Sequence, residues 1–183
     1  LNEFVAHKES LGYNVSVITE SDYDVLTGQG PNSREDRIRK WLQNNYLTAN
    51  IEYVLLIGNP NPDSGDIPMK HCYPRSQATD YPDYRDAPTD YYYADLSGNW
   101  DFNRNLTFCE YSGDMSESGV DFIPDVYVGR IRVYQSRSSW LVDLDSILRK
   151  IVSYEKSTDV EWRKSAILPM SFSAETVDGA YLA

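Results

Sequence analysis

The run Asp90-Tyr91-Tyr92-Tyr93-Ala94-Asp95-Leu96-Ser97-Gly98-Asn99-Trp100-Asp101 carries the densest oxygen chemistry in the chain. Asp95, Ser97, Asn99 and Asp101 offer a side-chain oxygen on every second residue, as the first ligands of a calcium loop do. Gly98 permits a tight turn among them, but at the fourth position of such a loop. An EF-hand needs its glycine at the sixth and a Glu at the twelfth, where Leu106 stands, so this is a different loop. Asp80, Asp83, Asp86, Asp114 and Asp121 surround it, and clustered carboxylates repel one another unless a hard cation offsets the charge. The expectation is a structural Ca²⁺ held by Asp90, Asp95, Ser97, Asn99 and Asp101. The alternative is a solvated acidic turn whose Tyr and Trp side chains pack on the sheet.

Nucleophilic catalysis by a thiol needs a thiolate and an imidazole in hydrogen-bond reach, often with a third group orienting the imidazole. The chain has two Cys and two His. His7 flanks the polar side of the first helix and reads as a solvated surface residue. His71 and Cys72 are adjacent, and neighbours in an extended segment point to opposite faces, so they read as a loop pair rather than a dyad or half of a metal site. Cys109 has no His near it in sequence. The chain is therefore expected to be catalytically inactive. Cys72 and Cys109 form either one disulfide or two free thiols. There is no Gly-rich phosphate loop, no zinc spacing and no Gly-x-Ser-x-Gly elbow. Arg130, Arg132 and Arg137 are expected to form local ion pairs rather than an anion site. Asn14-Val15-Ser16 and Asn105-Leu106-Thr107 match the glycosylation pattern, a frequent chance match.

The elements that must carry these groups are legible in part. Leu1, Phe4, Val5, Lys8 and Leu11 share one helical face, and Gly12 is placed to stop that helix. Val15 to Ile18 reads as a short strand. Ser33 with Asp36 resembles a capping box, and Ile38, Trp41, Leu42 and Tyr46 continue it as an amphipathic helix. Tyr53-Val54-Leu55-Leu56-Ile57 is an apolar run ended by Gly58, which fits a parallel strand covered on both faces. Residues 59–122 form a long excursion rich in Pro, Asp, Tyr and Gly, of the kind held by something other than a core. Val126 to Ile131 is another strand, a helix runs from about Ser138 to Glu155, and Ala166 to Met170 is the last strand candidate. This alternation predicts an α/β fold with a mostly parallel sheet flanked by helices.

Composition sets the outer bounds. With 183 residues and 41% hydrophobic content the chain is long enough for an α/β core. A net charge of −11 argues against nucleic acid, which needs a basic patch, and suits an extracellular protein, a cation site or basic substrates. No apolar run is long enough to span a bilayer. The chain opens on Leu1-Asn2-Glu3-Phe4-Val5 with helical periodicity rather than a signal peptide, as a segment inside a larger gene product would.

Three segments, in this order and spacing, resemble the gingipain-like cysteine peptidases (peptidase family C25, caspase-like clan CD). They are Phe4-Val5-Ala6-His7-Lys8 through Gly12-Tyr13-Asn14-Val15, then Tyr53 to Gly58, then Asp125-Val126-Tyr127-Val128-Gly129-Arg130-Ile131 with the helix ending Tyr154-Glu155-Lys156 and then Trp162. The resemblance implies a caspase-like catalytic domain in two subdomains, with residues 1–157 the first and 158–183 the start of the second. It implies a secreted, extracellular or cell-surface cysteine endopeptidase. Its partners would be protein or peptide substrates and the remainder of the catalytic domain. In that family both the His and the Cys follow the first strands of the second subdomain, so the chain is expected to stop before either. Ser173-Ala174-Glu175 resembles the strand-end segment whose acidic residue orients the catalytic His, which makes Glu175 the candidate catalytic carboxylate. Gingipains bind calcium, in keeping with the acidic run. The excursion is longer and richer in Asp and Tyr than in the best-known members, and Asn59 follows Gly58 where an Asp is often found. The rival reading is a non-catalytic, calcium-stabilised binding or surface module of the same fold.

Overall fold

The computed structural model describes residues 1–74, 86–116 and 118–165. It is an α/β structure, as expected. In chain order it contains helices α1 (Asn2–Ser10), α2 (Glu20–Tyr23) and α3 (Arg34–Asn45), strand β1 (Tyr53–Gly58), a 3₁₀ turn at Tyr91–Tyr93, strand β2 (Tyr127–Arg132), helix α4 (Trp140–Lys156) and a 3₁₀ turn at Glu161–Lys164. Contacts gather into two compact units, Leu1–Tyr13 with Asp145–Ala183, and Asn14–Leu144.

In the smaller unit, α1 ends where Gly12 requires it to. Gly12 adopts φ +94°, and the Gly12 and Tyr13 N–H groups return to the Glu9 and Lys8 carbonyls at 2.9 and 3.2 Å. This is a Schellman closure, and a left-handed residue there favours glycine. The buried side chains of α1 are Phe4 and His7, while Leu1 and Leu11 are exposed. The anchor to α4 is polar: Glu155 accepts from Lys8 Nζ at 2.6 Å and pairs with His7 Nε2 at 2.9 Å.

In the larger unit, Ser33 caps α3 as predicted. Asp36 Oδ2 accepts from the Ser33 N–H at 2.9 Å and from its hydroxyl at 2.7 Å, so Asp serves where Glu is usual. Strands β1 and β2 pair in parallel, Tyr53 with Tyr127 through Gly58 with Arg132. Parallel neighbours need a crossover, and here the excursion is that crossover. Leu56 is buried, whereas Tyr53 and Leu55 are exposed, with Tyr53 stacked on Tyr127 at 5.5 Å.

Two expectations fail instructively. Val15 to Ile18 form no strand among the described residues, since a strand needs a neighbouring ladder to satisfy its backbone and the β1–β2 ladder does not reach them. The excursion is also better packed than its lack of periodicity suggests. Cys72, Tyr92, Tyr93, Leu96, Trp100, Phe108, Cys109 and Val120 supply much of the core, joining Ile38 and Leu42 of α3 and Leu56 of β1. Irregular backbone here is fixed by aromatic burial, since Trp100 meets Tyr92 edge-on at 5.0 Å. The strand candidate at residues 166–170 lies outside the described residues.

Candidate functional site

The chemistry of the larger unit begins at the N-terminus of α3. Glu35 and Asp36 enter the first turn, where the helix dipole favours negative charge. Both are buried and so is Lys70, which is 2% exposed. Lys70 Nζ donates to Asp36 Oδ1 at 2.6 Å and to Glu35 Oε1 at 3.3 Å, and lies 3.7 Å from the centre of the Phe108 ring. Tyr92 donates its hydroxyl to Asp36 Oδ1 at 2.7 Å. One turn later, buried Arg39 donates to the Asp95 carbonyl at 3.1 and 2.6 Å and to the Gly98 carbonyl at 2.8 Å. This buried charge system was not foreseen from sequence, where only the Ser33–Asp36 spacing hinted at it.

The five expected calcium ligands lie in one segment, but each already has protein partners. Asp90 forms a two-pronged pair with Arg130, at 2.7 Å to Nε and 2.6 Å to Nη2, the local ion pair expected of that arginine. Asp95 is fully buried, and its carboxylate accepts from the Gly98 N–H at 2.7 Å and the Trp100 indole at 3.1 Å. Gly98 is required there: a Cβ would sit 2.4 Å from the Gly119 carbonyl oxygen and 2.6 Å from Asp95 Oδ2. Ser97 donates to Asp125 at 3.0 Å, and Asn99 accepts from Gln29 and from the Asp101 N–H. Asp101 Oδ1 accepts from the N–H groups of Asn105 and Leu106 at 2.8 and 3.2 Å. Buried Asp114 does likewise, accepting from Phe102 at 2.7 Å and Glu110 at 3.0 Å. Among the described residues no three His, Cys, Asp or Glu side chains gather closely enough to hold a metal ion.

Each thiol and imidazole of the chain is placed. His7 is buried against Glu155 rather than solvated, a correction to the sequence reading that follows from α1 turning it toward α4. Burial raises the Glu155 carboxyl, but the Lys8 and His7 hydrogen bonds outweigh it and the net shift is downward. His71 bonds Asp86 through Nδ1 at 2.7 Å and Asp63 through Nε2 at 3.1 Å. Burial pulls its pKa down, yet the two carboxylates more than offset this and hold it above the ordinary value. Cys72 and Cys109 are both buried free thiols, and the Cys72 thiol reaches the Cys109 carbonyl oxygen at 3.9 Å. Among the described residues neither imidazole bonds a thiol.

A cleft of about 530 Å³ opens beyond the carboxyl ends of the parallel strands. It is lined by Ser33 and Glu35 at the start of α3, by Asn59 and Asp66 after β1, and by Gln135 and Ser136 after β2. Open α/β sheets place their ligands at this end. The family model described as Peptidase family C25 matches residues 1–175. The chain belongs to peptidase family C25. No curated protein and no solved structure matches it. Membership makes this a cysteine peptidase-related protein with the α/β fold of family C25. The candidate carboxylate Glu175, like Asp80 and Asp83, lies outside the described residues. No helix among the described residues is long and apolar enough to cross a membrane.

Proposed function

We propose that this family C25 chain is the scaffold and substrate-facing part of a secreted cysteine endopeptidase, inactive by itself, whose nucleophile and general base come from outside these residues. The observation that carries this reading is the disposition of its thiols and imidazoles. Both thiols are buried, and each imidazole is committed to carboxylates. A thiolate that attacks a scissile carbonyl must meet both the peptide and a proton-accepting imidazole, and Cys72 and Cys109 meet neither requirement. The cleft at the strand ends supplies a wall along which a peptide can lie. In the complete enzyme the thiolate would add to the carbonyl, the imidazole would protonate the leaving amine, and water would release the acyl group. Glu175 would orient that imidazole.

The test compares peptide hydrolysis by this chain with that of the native gene product from its own source. The expected result is no turnover above buffer for the chain, and turnover by a native product of greater mass than 21.0 kDa. Hydrolysis by the chain that disappears in Cys72→Ala or Cys109→Ala would overturn the reading. An inactive native product would favour the binding or surface module.

Calcium on the excursion is a separate part of the proposal, supported by the oxygen alternation from Asp95 to Asp101 and the net charge of −11. A ligand that binds only the folded state stabilises it by roughly 2.7 kcal/mol at a hundred times Kd. The melting midpoint is therefore expected to rise with calcium and fall with chelator, and Asp101→Asn should blunt the response. A midpoint indifferent to both would assign the cohesion of this segment to its N–H donors alone.

A further inference from the structure

We infer that Cys72 and Cys109 are a built disulfide site, which closes the excursion into a covalent loop when the chain folds in the presence of a small-molecule disulfide. The inference rests on placement and is independent of the peptidase reading. The two residues are 37 positions apart in sequence, yet the Cys72 thiol reaches the Cys109 carbonyl oxygen at 3.9 Å. Their backbones are held side by side: the Tyr73 N–H donates to the Phe108 carbonyl at 3.1 Å, and Ala87 donates to the Cys72 carbonyl at 2.8 Å. Cys109 is fixed from the other side by its N–H to the Trp100 carbonyl at 2.9 Å, in a left-handed backbone conformation with φ 59°. No metal-binding group among the described residues claims either sulfur, and the proposed mechanism uses neither. The enclosed loop carries Tyr92, Tyr93, Asp95 and Trp100, the aromatic and acidic centre of the excursion.

The chemistry is an exchange that balances. One of the two cysteines, as thiolate, attacks one sulfur of a disulfide RSSR and expels RS⁻. The thiolate of the other cysteine then attacks the first cysteine's sulfur in the mixed disulfide and expels the second RS⁻, and both RS⁻ take up the protons lost by the cysteines to give two RSH. With both sulfurs buried in the folded chain, the exchange takes place during folding, before the excursion closes over them.

The test refolds the purified, reduced chain from denaturant in mixtures of oxidised and reduced glutathione. The products are then unfolded in excess alkylating reagent, and intact mass and a non-reducing gel are read. The expected product is a monomer that takes up no alkyl group until reductant is added, with the peptides bearing Cys72 and Cys109 linked. Constraining a loop of this length is expected to raise the melting midpoint by about 10 °C over the reduced chain. That rise should vanish in Cys72→Ser, and if this variant does not fold, the wild-type chain with and without reductant still decides. Two alkylated cysteines from the oxidising mixture, glutathione left on both, or linkage between chains would overturn the inference.

Discussion

Lys70→Met is expected to cost the larger unit about 3–5 kcal/mol, because it leaves a buried pair of carboxylates without their counter-charge. The aliphatic stem is kept by Met, so the loss isolates the ammonium. Asp36 has no exposed side-chain surface and Glu35 has 11%, so water does little to replace the missing cation. The remaining donors to Asp36, the Ser33 hydroxyl and N–H and the Tyr92 hydroxyl, are neutral. Lys70 also has a positional role. Its N–H and carbonyl bridge to Thr89 at 3.1 and 2.9 Å, and Pro68, two residues before it, lines the cleft. Loss of the ammonium should therefore loosen the cleft wall as well as lower stability. Urea unfolding gives the magnitude. The double variant Lys70→Met/Asp36→Asn should recover part of the loss, since it removes the orphaned charge along with its partner. A single-variant cost below about 1 kcal/mol, the level of an exposed pair, would show that these carboxylates find solvent.

What could be read from the sequence follows from the range of the forces involved. Ser33 and Asp36 are three residues apart, so their reciprocal cap is written locally. The apolar run Tyr53–Ile57 and the helical spacing of Leu148 and Ile151 are local in the same sense. Lys70 and Asp36, Arg39 and the Asp95 carbonyl, and His7 and Glu155 are separated by 34, 56 and 148 positions. No spacing rule links such residues, and each charged side chain on its own reads as a solvated one. The same holds for the candidate metal ligands. The alternation at Asp95, Ser97, Asn99 and Asp101 is real, but alternation cannot show that the Gly98, Trp100, Asn105 and Leu106 N–H groups would reach those oxygens first. Tyr92, Tyr93, Trp100 and Phe108 announced a core by type, while their lack of period concealed it, because an aromatic cluster in irregular backbone obeys no repeat.

Trp100→Ala is expected to remove about 3–5 kcal/mol through the cavity left by the indole. A further ~1–3 kcal/mol should follow from withdrawing a donor from buried Asp95. Trp100→Phe shrinks the cavity effect, since it keeps an aromatic ring against Tyr92, while it still deletes the N–H. Its pH dependence then carries the information. Burial lifts the Asp95 carboxyl above its ordinary value of 3.8, against the lowering pull of the Gly98 N–H, Arg39 and the Trp100 indole. A carboxyl raised in the folded state takes up its proton there before it does so in the unfolded chain as pH falls. Its burial thus weighs on stability above the raised pKa, and the penalty is relieved between that value and 3.8. Removing the indole N–H raises the carboxyl further, so the variant is relieved earlier than the wild type. The stability gap between Trp100→Phe and wild type, measured by urea unfolding, should be widest at neutral pH and narrow in mild acid. A gap that stays constant would mean that the indole N–H contributes nothing specific to the charged form of Asp95. A gap that widens in acid would mean that the Trp100 bond favours the protonated carboxyl, and Asp95 would then be a neutral buried acid tied to α3 only through the Arg39 contact with its carbonyl.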